Sequence, residues 1–148
     1  MSDHGQMRAS SQNWAVLLPD ILTHSVDQLR PMLPKHLAVM VVGGQVLLST
    51  TAGQPRAVAT ETVGVPAQVE RGGLAAVAAR MLADVQDLIV TDLGGPWPLT
   101  KSGQPTHPEA SLVGTSLDLR FSNKDGSDGV LLAPYPVPEI PPPTVVAG

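Results

Sequence analysis

One stretch of this sequence, residues 72–95, constrains the fold more than any other. Its apolar side chains recur at spacings of three and four residues, which places them on one stripe of an α-helix. The stripe comprises Leu74, Val77, Ala78, Met81, Leu82, Val85, Leu88, Ile89 and Leu93. Glycine pairs flank the stretch, and prolines follow it directly, so the helix cannot continue. We predict a helix over residues 73–93 that needs a broad apolar surface to pack on.

The chain has 148 residues, which favours a single domain. Hydrophobic residues make up 43% of it, a normal share for a globular protein, but charged residues make up only 15%, where about a quarter is usual. A weakly charged surface is typical of a protein that is partly covered by a partner. It is equally typical of a surface rich in neutral polar side chains, and the composition leaves both alternatives open.

Charge and cysteine content exclude several classes of function. The net charge is −4, and the nine Lys and Arg residues are scattered, which argues against binding to nucleic acid or to an anionic membrane surface. The absence of cysteine excludes disulfides, thiolate nucleophiles and zinc–thiolate sites. Residues 1–12 lack the basic and apolar pattern of a signal peptide. We therefore expect the protein in the bacterial cytoplasm or in a virion, with no membrane association.

The region before the long helix predicts a second helix and three strands. Residues 13–30 repeat apolar side chains at helical spacing, and Pro19 either occupies the first turn of a helix beginning near Leu18 or kinks a longer one. The neighbouring Asp20 favours a helix start, because a carboxylate suits the positive helix end. Residues 37–43 form a continuous apolar run, typical of a buried central strand. Glycine and proline turns then divide residues 37–65 into a predicted three-stranded meander.

Two more strands are predicted after the long helix. Residues 117–121 alternate strictly between apolar and polar side chains, as in a half-buried strand, and residues 130–133 follow a polar turn as its partner. This second hairpin could extend the first sheet or pack across it. The elements together predict an α+β fold in which two main helices pack on a mainly antiparallel sheet of about five strands.

The same elements predict the limits of the domain. A single α+β domain would span residues 13–133, after a flexible N-terminal tail at residues 1–12. Residues 134–143 contain six prolines, which cannot donate backbone hydrogen bonds. We therefore predict that residues 134–148 form an extended, proline-rich C-terminal arm.

The sequence predicts no catalytic, cofactor-binding or metal-binding site. His24, Asp27 and His36 lie near one another in sequence, but proline breaks separate them. Residues 123–128 resemble half of a calcium loop without its final glutamate, and turn chemistry explains them better. Residues 94–110 form a long irregular loop, which leaves one enzymatic alternative, an unconventional site around His107 and Glu109.

Protein partners are expected instead, in a homo-oligomer or as part of a larger assembly. A tryptophan between two prolines, as at residue 97, is either a plug that closes the core or an exposed anchor for a partner. The extended arm could lie on a neighbouring subunit. The candidate partner-binding residues are Trp97, Pro96, Pro98, Tyr135, Pro138, Ile140 and Pro141.

Three segments, Asp84–Pro98, Ser116–Phe121 and Val130–Pro134, resemble small uncharacterised proteins from actinobacteria and their phages. This resemblance covers the C-terminal half and implies no activity and no site residues. Together with the missing catalytic motifs, it predicts a non-enzymatic structural or assembly protein, a bacteriophage virion component such as a neck, tail-completion or decoration subunit. The alternative is a small accessory or adaptor subunit of a bacterial enzyme or secretion complex.

Overall fold

The computed structural model describes residues 13–42, 45–50, 56–62 and 66–139, and this part of the chain has an α+β fold, as predicted. Its two α-helices are α1, Leu18–Leu29, and α2, Leu74–Leu93. Short 3₁₀ turns flank them at Ala15–Leu17, Arg30–Met32 and Arg71–Gly73. Its seven strands are β1, Leu37–Val42; β2, Gln45–Thr50; β3, Arg56–Thr62; β4, His107–Val113; β5, Ser116–Ser122; β6, Gly129–Leu131; and β7, Tyr135–Pro136.

Helix α2 matches the periodic stretch closely. Seven residues of its apolar stripe are buried: Leu74, Ala78, Met81, Leu82, Val85, Leu88 and Ile89. Gly94 ends the helix in the left-handed conformation, at φ 72°, and its N–H donates to the Val90 carbonyl at 2.8 Å. This is the conformation that glycine adopts at little steric cost, so the sequence encodes both the helix face and the helix end.

Helix α1 begins at Leu18 and carries Pro19 and Asp20 in its first turn. The structure thus confirms the first of the two alternatives, because proline suits a position whose N–H has no partner within the helix. Arg30 directly follows the last residue of α1, and its Nε donates to the Val39 carbonyl at 3.1 Å. Arg30 therefore ties the end of α1 to strand β1.

The described strands form two antiparallel sheets, not the single sheet of about five strands that the sequence predicts. The first sheet has the order β1-β2-β3, and in the second sheet β5 pairs with β4 on one side and with β6 and β7 on the other. Strand periodicity predicts which side chains share a face, but it does not show which sheet a hairpin joins. The second hairpin does not extend the first sheet but forms a sheet of its own.

Strand β1 is an edge strand, so the prediction of a buried central strand is wrong. Leu37 and Val39 face the core, whereas Met40 and Val42 are 56% and 53% exposed. Alternate residues of a strand point to opposite faces, and a run of apolar residues does not show whether both faces are covered. The central strand of the first sheet is β2.

The predicted C-terminal arm begins with residues that pack against the domain. Tyr135 and Val137 are buried, and the Val137 N–H donates to the Thr115 carbonyl at 2.8 Å. The Arg71 Nε also donates to the Pro138 carbonyl at 3.1 Å. The rest of the arm, residues 140–148, and the predicted tail at residues 1–12 lie outside the described residues.

Candidate functional site

Four polar side chains lie together on the face of the second sheet opposite Leu119 and Phe121. They form what we call the polar cluster: His107, Glu109, Arg120 and Ser122. The register of β4 and β5 places His107 opposite Ser122 and Glu109 opposite Arg120. Side chains at such paired positions lie close enough to form hydrogen bonds across the strands. The cluster thus follows directly from how these two strands pair.

The Glu109 carboxylate is the centre of the polar cluster. Its Oε1 accepts from the Arg120 Nε at 2.9 Å and from the Ser122 Oγ at 3.0 Å. The His107 Nε2 lies 3.1 Å from its Oε2 and donates to it when it carries a proton. Hydrogen bonds from His107, Ser122 and Arg120 lower the pKa of Glu109, because each stabilises the ionised carboxylate. Glu109 is therefore an anion at neutral pH.

This order of groups differs from that of a nucleophilic triad. In a triad, the imidazole lies between the hydroxyl and the acid and accepts the hydroxyl proton. Here the carboxylate lies between Ser122 and His107, so the serine hydroxyl donates to Glu109. A carboxylate whose pKa is lowered is a poor general base at neutral pH. The geometry therefore supports cross-strand stabilisation by the polar cluster and excludes a nucleophilic triad there, while the unconventional enzymatic site around His107 and Glu109 stays a prediction.

The polar cluster should make stability depend on pH through Glu109. A carboxylate with a lowered folded-state pKa stabilises the native state above its unfolded-state pKa, and this contribution is lost as the pH falls through the folded-state pKa. We expect Glu109→Gln to lower the Tm at neutral pH, and the difference from wild type to shrink towards about pH 3. Thermal unfolding followed by circular dichroism measures both. A difference that is equal at both pH values would show that the Glu109 charge does not stabilise the fold.

A groove of about 720 Å³ lies beside the polar cluster. Its lining includes Ala79 of α2, Glu109, Asp118, Arg120 and the exposed Leu131. The carboxylate of Glu109 is already held by three donors, and Asp118 accepts from the Ser116 hydroxyl at 2.8 Å. Among the residues that the structure describes, no group of three or more His, Asp and Glu side chains could hold a metal ion.

The loop before β4 is held at both ends, and Trp97 is part of the core. Trp97 is 7% exposed, and its indole Nε1 donates to the Met32 carbonyl at 3.1 Å. From α2, the Gln86 Nε2 donates to the carbonyls of Trp97 and Thr106 at 3.0 and 2.9 Å. Irregular structure ends at Thr106, because residues 107–110 belong to β4 and not to the predicted loop. The structure thus favours the core plug over the exposed anchor.

Of the other predicted partner-binding residues that the structure describes, two are buried and two are exposed. Pro98 and Tyr135 are buried, so with Trp97 they are placed in the core and not on the surface as anchors. The Tyr135 hydroxyl donates to Asp20 at 2.7 Å, and burial together with that carboxylate raises the pKa of Tyr135. Pro96 and Pro138 are exposed, and partner binding through them stays a prediction. Ile140 and Pro141 lie outside the described residues.

The predicted calcium-like segment is a hydrogen-bonded turn between β5 and β6. Asn123 is buried, and its amide donates to the Gln104 Oε1 at 2.7 Å. Asp125 accepts from the backbone N–H and the hydroxyl of Ser127 at 3.0 and 2.6 Å, and these bonds lower the pKa of Asp125. Gly126 has a φ of 74°, a conformation that favours glycine. The segment is therefore turn chemistry, as the sequence indicates.

A second surface, which the sequence reasoning did not identify, lies on the outer face of the first sheet. We call it the apolar face: its apolar positions are Ala38, Met40, Val42 and Leu47, and the strand register also places Gln45 and Ser49 on it. Met40 pairs with Leu47 in the register of β1 and β2, so their side chains are neighbours. The apolar run predicted strand formation, but it gave no signal that one of its faces would be uncovered. Arg120 and Ser122 were also missed, because only strand register brings them to Glu109.

Within the described ranges, no helix is both long enough and apolar enough to cross a membrane. No family model, no curated protein and no solved structure matches this chain.

Proposed function

We propose that this protein is a non-enzymatic structural subunit of a bacteriophage particle, which acts through protein–protein contacts. The observation that carries the proposal is the apolar face. Met40 and Val42 are each more than half exposed, lie two residues apart on one face of an edge strand, and adjoin Leu47. Contiguous exposed apolar side chains are typical of interaction surfaces.

Burial of this face by a partner would contribute to association. Complete burial of a Val or Met side chain contributes about 1.5–3 kcal/mol, so covering the exposed halves of Met40 and Val42 contributes about 1 kcal/mol each. A stable interface covers about 800 Å² on each partner, which is more than these two side chains provide. We therefore infer that the apolar face is the centre of a larger contact with a polar rim.

One sequence observation supports the particle over other kinds of assembly. The segments Asp84–Pro98, Ser116–Phe121 and Val130–Pro134 resemble small uncharacterised proteins of actinobacteria and their phages. The polar cluster supports a non-enzymatic role, because its carboxylate lies between the hydroxyl and the imidazole, whereas in a nucleophilic triad the imidazole lies between the other two groups. The adaptor alternative would use the same face but with a metabolic or secretion partner.

Particle composition tests this proposal. We expect the chain to co-sediment with gradient-purified phage particles from its source at a constant ratio to the major capsid protein, measured by quantitative mass spectrometry. Val42→Asp should reduce incorporation at least about tenfold, because desolvation of the new carboxylate adds to the lost apolar contact and a total of about 1.4 kcal/mol is a tenfold change. Val113→Asp is the matched control, because Val113 is 63% exposed on the other sheet. Recovery of the chain in a cellular complex, with none in particles, would favour the adaptor alternative instead.

A further inference from the structure

We propose that the partner on the apolar face is a second copy of this chain, so that two first sheets pack face to face around a twofold axis. This inference rests on the proposed function, since it names the partner of the same surface. The inference places Met40 at the centre of the contact, where its side chain approaches the apolar face of the other copy.

Charge is the first argument for a second copy. A twofold interface brings one surface patch against itself, so every charged group near the axis approaches a group of the same sign. Strands β1 and β2 read Leu-Ala-Val-Met-Val-Val and Gln-Val-Leu-Leu-Ser-Thr, with no ionisable side chain in twelve residues. The charged residues of β3, Arg56 and Glu61, pair with Thr50 and Val46, which are register positions of the opposite face. The apolar face can therefore meet its own copy without like-charge repulsion.

The outer face of the second sheet provides the contrast. Along it, Glu109, Asp118 and Arg120 occupy outward positions on adjacent strands. A twofold contact there would remove Asp118 and the Glu109–Arg120 ion pair from water, a desolvation cost that the uncharged face of the first sheet does not carry. Self-association is thus favoured on the first sheet and disfavoured on the second.

The face, not the edge, of the first sheet is the part available for this contact. On β1, the Val39 carbonyl already accepts from the Arg30 Nε at 3.1 Å, so edge-to-edge strand pairing would have to displace that guanidinium. Packed sheets lie about 10 Å apart and interdigitate their side chains. Met40, Val42 and Leu47 supply apolar side chains on two adjacent strands, and the flexible Met40 can fill the space between the opposed sheets.

Oligomeric state tests the inference directly on the full chain. We expect native mass spectrometry and sedimentation velocity to give a dimer with twice the 15.4 kDa chain mass. Met40→Asp and Met40→Lys should each weaken the dimer about 30-fold or more, as expected for a residue at the centre of an interface. A mixture of these two variants should form heterodimers, because opposite charges then meet. Val113→Asp should leave the dimer unchanged.

Circular dichroism checks that each variant folds, and Met40 is exposed enough to accept a charge in the monomer. A wild-type monomer at high concentration would overturn the inference, as would a Met40→Asp variant that dimerises like wild type or a mixture without heterodimers. A monomer that still enters particles would leave the proposed function standing. A dimer that is absent from particles would overturn the proposed function and leave the dimer contact standing.

Discussion

Replacement of Leu82 by Asp is expected to unfold the protein at neutral pH. Leu82 is 1% exposed, in the middle of the α2 stripe, and α2 packs against α1 and against strands of both sheets. Burial of an unpaired carboxylate costs several kcal/mol, beyond the lost apolar contacts of the leucine. The total is comparable with the whole stability of a typical domain, about 5–15 kcal/mol. Helix α2 could then no longer pack its apolar stripe against α1 and the two sheets.

Far-UV circular dichroism and urea unfolding measure this effect. Leu82→Asp should show no cooperative unfolding transition, whereas the control Ala76→Asp should unfold near the wild-type midpoint, because Ala76 lies on the exposed side of the same helix. A cooperative transition at the wild-type midpoint for Leu82→Asp would contradict the assignment of α2 to the centre of the core.

The second large effect is expected for Trp97→Ala, which should lower the free energy of unfolding by about 3–5 kcal/mol. Trp97 is 7% exposed, and its indole Nε1 donates to the Met32 carbonyl. Removal of the ring creates a cavity and also takes away the hydrogen-bond donor of that carbonyl. Trp97→Phe keeps most of the ring but not the donor, so it should cost about 1–3 kcal/mol.

Urea unfolding of the two variants separates the two interpretations of Trp97. Leu99→Ala is the control in the same loop, and it should have a smaller effect because Leu99 is exposed. If Trp97→Ala kept wild-type stability but lost association with particles or with a second copy, Trp97 would be a surface anchor and not a core plug.

Only two of the four residues of the polar cluster could be predicted from the sequence. His107 and Glu109 were singled out from their residue types, two positions apart in a polar segment. Arg120 and Ser122 were not joined to them, because their proximity depends on the pairing of β4 with β5. A shift of one residue in that register would have put other side chains beside Glu109. The order of groups around the carboxylate, and with it the chemistry, followed only from the structure.

For the apolar face, the sequence predicted the strand but not the exposure of its side chains. The sequence showed that residues 37–42 are apolar, and it indicated a strand correctly. It did not show that β1 is an edge strand, which depends on β2 and β3 both lying on one side of it. Nor did it show that nothing described covers the outer face of β1. Exposure of Met40 is thus a property of the assembled sheet and not of the strand.

The sequence by itself determined the local elements of this protein: the α2 stripe, its end at Gly94 and the start of α1 at Pro19. These features depend on side-chain spacing and backbone conformation within a few residues. Only the tertiary structure decided that there are two sheets and that Trp97 and Tyr135 are buried. Periodicity shows which side of an element is apolar, but what covers that side depends on residues far away along the chain, which no local pattern specifies.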